Sequence, residues 1–234
     1  MSVDREALEA SLRRLDRLAV GELDMAGLLN QVVDAAGQLF SVTGAGLLVV
    51  DTAHELHYVA ASDQAGRHLE YAQLKTGEGP CVDAFVLDQP VRTADVLADD
   101  RWPLLRAVLD RARVRAVLGV PVRLGGGPVG ILDAYVDHPR EWDDDDVEAL
   151  GWYARVIENL LAISVAAHRS DQLAGQLQYA LDYRVTIERG IGFVMARDGV
   201  DAVTAFNRLR AKARNSRRKI GEVAAATMRG EPLM

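Results

Sequence analysis

Two β-rich runs, residues 115–124 and 129–136, flank Gly125-Gly126-Gly127-Pro128, and no other feature of the chain restricts its fold as strongly. Glycines reach the positive φ angles that tight turns demand, so the two runs are expected to pair as a β-hairpin within an antiparallel sheet. A glycine-rich loop can instead cradle phosphate, but a Lys-Ser/Thr pair should then complete it and a helix should follow; neither does. Upstream, residues 47–50 form a short β-rich run, and residues 56–61 read as its antiparallel partner across the turn-forming Asp51-Thr52-Ala53-His54.

Elsewhere the apolar period is helical. Leu8, Leu12, Leu15 and Leu18 mark a first amphipathic helix that Gly21 ends. Asp24 can cap a second, whose apolar face is Leu28, Leu29, Val32, Val33, Ala36, Leu39 and Phe40. Residues 66–113 are irregular, with short helical pieces at 69–72, 82–87 and 102–112. A long helix begins at Trp142-Asp143-Asp144-Asp145-Asp146. Its acids complement the helix dipole and cap free amides, whereas the alternating ligands, central glycine and closing glutamate of a calcium loop are missing. The helix continues through Leu150, Ala154, Ile157 and Leu161, slips in phase at 168–170, and resumes at Leu173, Leu177, Ala180, Arg184 and Ile187 in alternating steps of four and three. Such steps favour a coiled-coil seam, and the slip resembles a stutter; a helix packed on its own domain is the alternative. Gly199 and Asp201 then end one helix and open another, bearing Ala202, Ala205, Phe206, Leu209 and Ala213. Asn215 or Ser216 opens a last helix with Ile220, Val223, Ala224 and Thr227, which completes a small three-helix bundle.

Charge divides the chain in the same place. The formal net charge is −7, yet residues 1–168 carry 15 Lys+Arg against 27 Asp+Glu, a net of −12, while residues 169–234 carry 12 against 7, a net of +5. Seven bases, Arg208, Arg210, Lys212, Arg214, Arg217, Arg218 and Lys219, fall within 208–219 with no acid among them. A basic tail on an acidic body suggests a polyanion-binding module, although most charge runs are simply solvated helix faces. The expected organisation is an α+β domain over 1–168, an antiparallel sheet flanked by helices, followed by a long connecting helix and a three-helix bundle within 169–234.

Several chemistries are not indicated. A single cysteine, Cys81, excludes an internal disulfide framework and a cysteine-rich zinc site. The five histidines are scattered, and the closest pair, His54 and His57, would face opposite sides of a strand, so no metal site is expected. Nothing arranges a Ser/His/Asp or Cys/His set, and no enzymatic activity is expected, although groups distant in sequence can still meet in the fold. No apolar run approaches the ~18 residues needed to span a bilayer, and residues 1–9 lack the apolar core of a signal peptide; a cytoplasmic location is expected.

The segment 177–228 resembles the ANTAR domain of bacterial transcription antiterminators, a three-helix RNA-binding module. The matching residues are Arg184, Ile187-Glu188, Gly192, Met195-Ala196-Arg197, Ala205-Phe206, Leu209-Arg210, Ala213, Arg218-Lys219-Ile220 and Val223-Ala224. Two positions depart from the common form: Gly190-Ile191-Gly192 stands where many members read Ala-Lys-Gly, and Arg217 where Asn is frequent. The front part resembles a GAF sensor domain of the kind fused to ANTAR domains in actinobacteria, through Gly77-Glu78-Gly79-Pro80-Cys81, Asp99-Asp100-Arg101-Trp102-Pro103 and Val117-Leu118-Gly119-Val120-Pro121-Val122.

The resemblance implies an antitermination regulator whose C-terminal module binds paired hairpins in a nascent messenger. Expected RNA contacts are Arg210, Arg214, Arg217, Arg218 and Lys219, with Arg184 and Arg189 on the first helix of the bundle; Arg184 is equally suited to a structural place on the seam. Phe206 lies on the apolar face and is expected in the core. Candidate sensor contacts are Cys81, Phe85 and Trp102, for a small molecule of unknown identity, and the sequence leaves any cofactor unknown. Two hairpins suit two modules, hence a homodimer through the first and connecting helices. The competing reading is a dimeric small-molecule sensor whose helical tail binds a protein partner.

Overall fold

The computed structural model describes residues 4–15, 25–40, 42–50, 56–109, 113–167 and 171–233; for residues 56–58, 164–167, 171–184 and 214 it describes the backbone alone. The expectations placed on Leu18, Gly21, Asp24, the turn at 51–54, the phase slip at 168–170 and the side chains of the seam from 173 to 184 lie outside the described residues.

The first unit is a five-stranded sheet between two layers of helices. Its elements in chain order are α1 (Arg5–Leu15), α2 (Met25–Leu39), β1 (Gly44–Val50), β2 (Leu56–Ala61), α3 (Gln64–Thr76), α4 (Pro80–Leu87), β3 (Val91–Thr93), α5 (Pro103–Leu109), β4 (Ala116–Leu124), β5 (Gly127–Val136) and α6 (Asp144–Ala167). The strand order is β2-β1-β5-β4-β3, and the pairs β1·β5, β5·β4 and β4·β3 are antiparallel. The glycine-rich segment is the expected hairpin, but β5 takes in Gly127 and Pro128. Gly125 and Gly126, at φ 60° and 90°, are left as the two-residue turn, the backbone that glycine adopts without steric penalty. Pro128 is accommodated opposite Arg123, where the register shifts after Val122.

Both faces of the sheet are covered, which is why β4 and β5 are apolar along nearly their whole length. On one side Leu47, Leu118, Val120, Leu132 and Ala134 pack with Leu29, Val33, Leu150, Tyr153 and Ile157 from α2 and α6. On the other, Leu48, Val117, Ile131 and Tyr135 pack with Leu69, Cys81, Trp102 and Leu105 from α3, α4 and the α5 region. Helix α6 starts as its acids predict: Asp146 accepts from the Asp143 amide, Asp143 accepts from the Asp146 amide at 2.8 Å, and Arg140 pairs with Asp146 at 2.8 Å. Three residues of β3 escape the sequence reading because so short a run carries no measurable alternation.

The helices after residue 170 form a compact unit of their own: α7 (Asp171–Asp198), α8 (Ala202–Ser216) and α9 (Ile220–Met228), packed pairwise. Their core is Ile187, Ile191, Val194, Ala205, Leu209, Ala213, Ile220, Val223 and Ala224, with Phe206 packed against it as expected. Gly190 sits where α7 and α9 come closest, and a Cβ there would lie 2.6 Å from that of Ala224. Asp201 caps α8 through the Thr204 amide at 2.8 Å. The last helix begins later than expected, at Ile220. The Ser216 hydroxyl bonds back to the Lys212 carbonyl at 2.7 Å, which makes Ser216 the end of α8 and leaves Arg217, Arg218 and Lys219 in the connection.

Candidate functional site

In the first unit, Asp133 is the one acidic residue of the apolar strand β5. It faces the α3–α4 side, between Ile131 and Tyr135, and in the ladder it lies opposite Gly46 on β1 and Gly119 on β4. Two glycines beside one carboxylate leave bare backbone on either side of it. Glu70 from α3 and Cys81 from the first turn of α4 cover this patch, and all three residues are fully buried. One carboxylate oxygen from each acid and the Cys81 Sγ lie within 4.8 Å of one another.

Gln73 holds the neighbouring elements together. Its Oε1 accepts the Cys81 amide at 2.8 Å, and its Nε2 donates to Glu70 Oε2 at 3.4 Å. Gly79, at φ 140°, lets the chain turn into α4 directly beside this side chain; a Cβ there would meet Gln73 Oε1 at 2.3 Å. The Gly77-Glu78-Gly79-Pro80-Cys81 sequence therefore serves packing as much as chemistry.

Burial pushes all three titratable groups of the cluster toward their neutral forms. Glu70 is raised well above the carboxylate range by burial first and by the Asp133 charge second. The Cys81 thiol is pushed well up by burial, then by the charges of Asp133 and Glu70. Asp133 is raised by burial, against hydrogen bonds that Glu70 and Cys81 offer it when protonated. With both acids ionised the Glu70 bond is lost, and Glu70 Oε1 and both Asp133 carboxylate oxygens have no donor among the described residues beyond the Cys81 thiol.

The other expected sensor contacts lie elsewhere. Trp102 is fully buried and donates from Nε1 to Asp83 Oδ2 at 2.9 Å, with the Arg101 guanidinium 4.2 Å from its ring centre. Arg101 is itself clamped by Asp99 at 2.6 Å and by the Arg92 carbonyl at 2.9 Å, so the Asp99-Asp100-Arg101-Trp102-Pro103 segment fastens the chain to β3. Phe85 is half-buried against the same core. Of Cys81, Phe85 and Trp102, only Cys81 belongs to the buried cluster, and the sequence reading does not reach Glu70 or Asp133. An acid in the centre of an apolar strand was the signal available for Asp133.

In the second unit, Arg217, Arg218 and Lys219 form a basic turn between α8 and α9. Arg217 and Lys219 are exposed, and Arg217 takes a left-handed conformation at φ 53°. Arg218 is partly engaged: Nη1 donates to Glu231 Oε1 at 2.7 Å and Nη2 to the Glu222 carbonyl at 3.4 Å. Arg210 is half-buried on α8, and Arg189 is exposed on α7. The side chains of Arg184 and Arg214 lie outside the described residues. Arg208 joins Arg197 on Asp198, at 2.8 and 2.6 Å, where α7 ends.

Among the described residues no helix is long and apolar enough to cross a membrane. No curated protein matches the chain. Among solved structures, a free methionine-R-sulfoxide reductase from Neisseria meningitidis, in complex with its substrate, is 21% identical and aligns over 71% of this chain and 96% of its own at a TM-score of 0.56. The GAF domain of an Acinetobacter phosphoenolpyruvate-protein phosphotransferase is 14% identical, over 70% and 98%, at 0.55. The equivalent domain from Coxiella burnetii is 18% identical, over 70% and 96%, at 0.54. Identities this low show a shared fold. The GAF domain family model matches residues 22–162, more than half of the chain, and the ANTAR domain model matches residues 175–226. The chain thus belongs to the GAF domain family and carries an ANTAR domain after its GAF domain.

Proposed function

We propose that the protein is an RNA-binding regulator of transcription antitermination, in which the GAF domain senses a signal and the three-helix unit binds hairpins in nascent mRNA in the cytoplasm. The observation that carries this reading is the ANTAR match over a unit whose α8–α9 turn presents Arg217, Arg218 and Lys219 in succession. A compact helical unit has little room to bury bases. Cations on phosphates should therefore supply most of the affinity, and hairpin shape with unpaired loop bases the specificity. The proposed RNA contacts are Arg210, Arg214, Arg217, Arg218 and Lys219, with Arg189 and Arg184 from the sequence of α7.

The homodimer belongs to the same proposal. Trp152 and Ile163 are 41% and 46% exposed on α6, an apolar pair that water alone does not favour. The likeness to a reductase lends no activity to this chain. Cys81 is its one cysteine, and burial among carboxylates drives the thiol away from the thiolate that a nucleophile needs.

Titration of labelled hairpin RNA into the full chain tests the reading. Arg217→Ala/Lys219→Ala is expected to weaken binding about tenfold or more at moderate salt and to flatten the slope of log K against log salt by roughly 0.7–0.9 for each phosphate that is no longer neutralised. Equal affinity and slope would remove the basic turn from the interface. Absence of any RNA binding by the wild type would overturn the RNA reading in favour of a helical tail that docks on protein.

A further inference from the structure

Asp133 stands on the central strand of the sheet with glycine opposite it on both neighbours, Gly46 and Gly119. A Cβ at Gly46 would lie 2.5 Å from Glu70 Oε1 and 2.9 Å from Asp133 Oδ2, so any larger residue here would displace the two carboxylates from this level of the sheet. The sequence has thus cleared a space in the core and filled it with two acids and a thiol. Glu70 Oε1 and both Asp133 oxygens face that space with no donor from outside the cluster among the described residues. A packed core has no structural use for such a group. Hydrophobic residues of similar volume would fill it without the desolvation penalty of ionisable side chains.

We propose that Glu70, Cys81 and Asp133 bind a divalent transition metal ion of the zinc class. One thiolate with two carboxylates is a donor set for zinc and its neighbours, and the sulfur disfavours magnesium and calcium, which take oxygen ligands. Ligands at ordinary metal–sulfur and metal–oxygen lengths around a tetrahedral ion stand roughly 3.4–3.6 Å apart. The three donor atoms already lie within 4.8 Å of one another, so side-chain rotation can close the set. Three protein ligands leave a fourth position for a small exogenous ligand.

Gln73, bonded both to Glu70 and to the Cys81 backbone, orients two of the ligands from outside the set. The inference supplies the ligand for the sensor domain of the reading above. It is tested without RNA, so either can fail while the other stands.

The full chain, stripped with a chelator and dialysed, is titrated with Co²⁺ alone and then with Zn²⁺. One equivalent of Co²⁺ per chain is expected, with a near-ultraviolet sulfur-to-cobalt charge-transfer band that Zn²⁺ removes by displacement. Cys81→Ser, close in volume, should abolish the band and weaken Zn²⁺ binding at least tenfold while circular dichroism stays unchanged. Gly46→Ala keeps every ligand and should weaken uptake by filling the space, and Asp133→Asn provides a third variant of nearly native shape should either of these fail to fold. No Co²⁺ or Zn²⁺ uptake by the wild type would overturn the proposal, as would equal uptake with the same spectrum in folded Cys81→Ser.

Discussion

Arg217 holds its backbone at φ 53°, in the left-handed region. For a residue with a Cβ this costs about 1–2 kcal/mol, and Asn tolerates it better because its short side chain can bond locally. The family form that this segment resembles often has Asn at the position, so arginine here gives up local stability for an exposed cation on the basic turn. Arg217→Asn is therefore expected to stabilise the C-terminal unit by about 1 kcal/mol while weakening hairpin RNA binding several-fold. Hydrogen exchange at the α8 and α9 amides reads the first effect, and RNA titration the second. Two changes of the same sign would refute the account. Single residues also mark the limit of what the sequence disclosed in the first unit. Cys81 is conspicuous as the only cysteine, but Glu70 and Asp133 reach it from 11 and 52 positions away, and only the register that sets Asp133 between Gly46 and Gly119 reveals their convergence.

Where α7 gives way to α8, the junction depends on one carboxylate. Asp198 accepts from Arg197 Nε at 2.6 Å and from Arg208 Nη1 at 2.8 Å, the second bond reaching across to α8. Chiefly the Arg197 bond, then the Arg208 bond and the charges of both, lower its pKa to about 2. The unfolded chain takes up this proton near pH 4, so between pH 4 and 2 the unfolded state binds more protons than the folded one. The contribution of the junction to stability is thus complete above about pH 4 and is lost as pH falls toward 2. Acid unfolding of α7–α9, followed by helical circular dichroism, should begin at higher pH in wild type than its other carboxylates require, and Asp198→Asn should be less stable at pH 6 but lose less between pH 4 and 2. An identical pH profile in both would place the bond among ordinary surface pairs. Elements of this kind are legible from periodicity, because each buries one continuous face: the hairpin, α2, α6 and α8 all appear where the apolar spacing puts them. The errors fall where local hydrogen bonding decides the boundary, as at Ser216, or where an element is as short as β3.

At the scale of the whole molecule, the net charge of −7 joins a strongly acidic body to a basic C-terminal unit, a division that discourages indiscriminate polyanion binding by the body. On the proposed reading, the basic turn between α8 and α9 offers few phosphate contacts, so affinity for a target with two hairpins would depend on presenting two C-terminal units together. Trp152 and Ile163 are 11 residues apart on α6, three helical turns, which puts them on one face of the helix, while Val156 and Leu160 between them pack against the core. That face suits a second copy of the same helix. The full chain is expected to sediment at about twice its 25.5 kDa, and Trp152→Glu/Ile163→Glu to sediment as a monomer. Dimerisation turns the second hairpin contact into an intramolecular one, so the wild type should prefer a two-hairpin RNA over a single hairpin by roughly 10²–10⁴. The double variant should lose that preference and keep its single-hairpin affinity, because the substituted positions lie in the first unit and the basic turn in the second. A monomeric wild type, or a variant that retains the full two-hairpin preference, would show that avidity through α6 has no part in recognition.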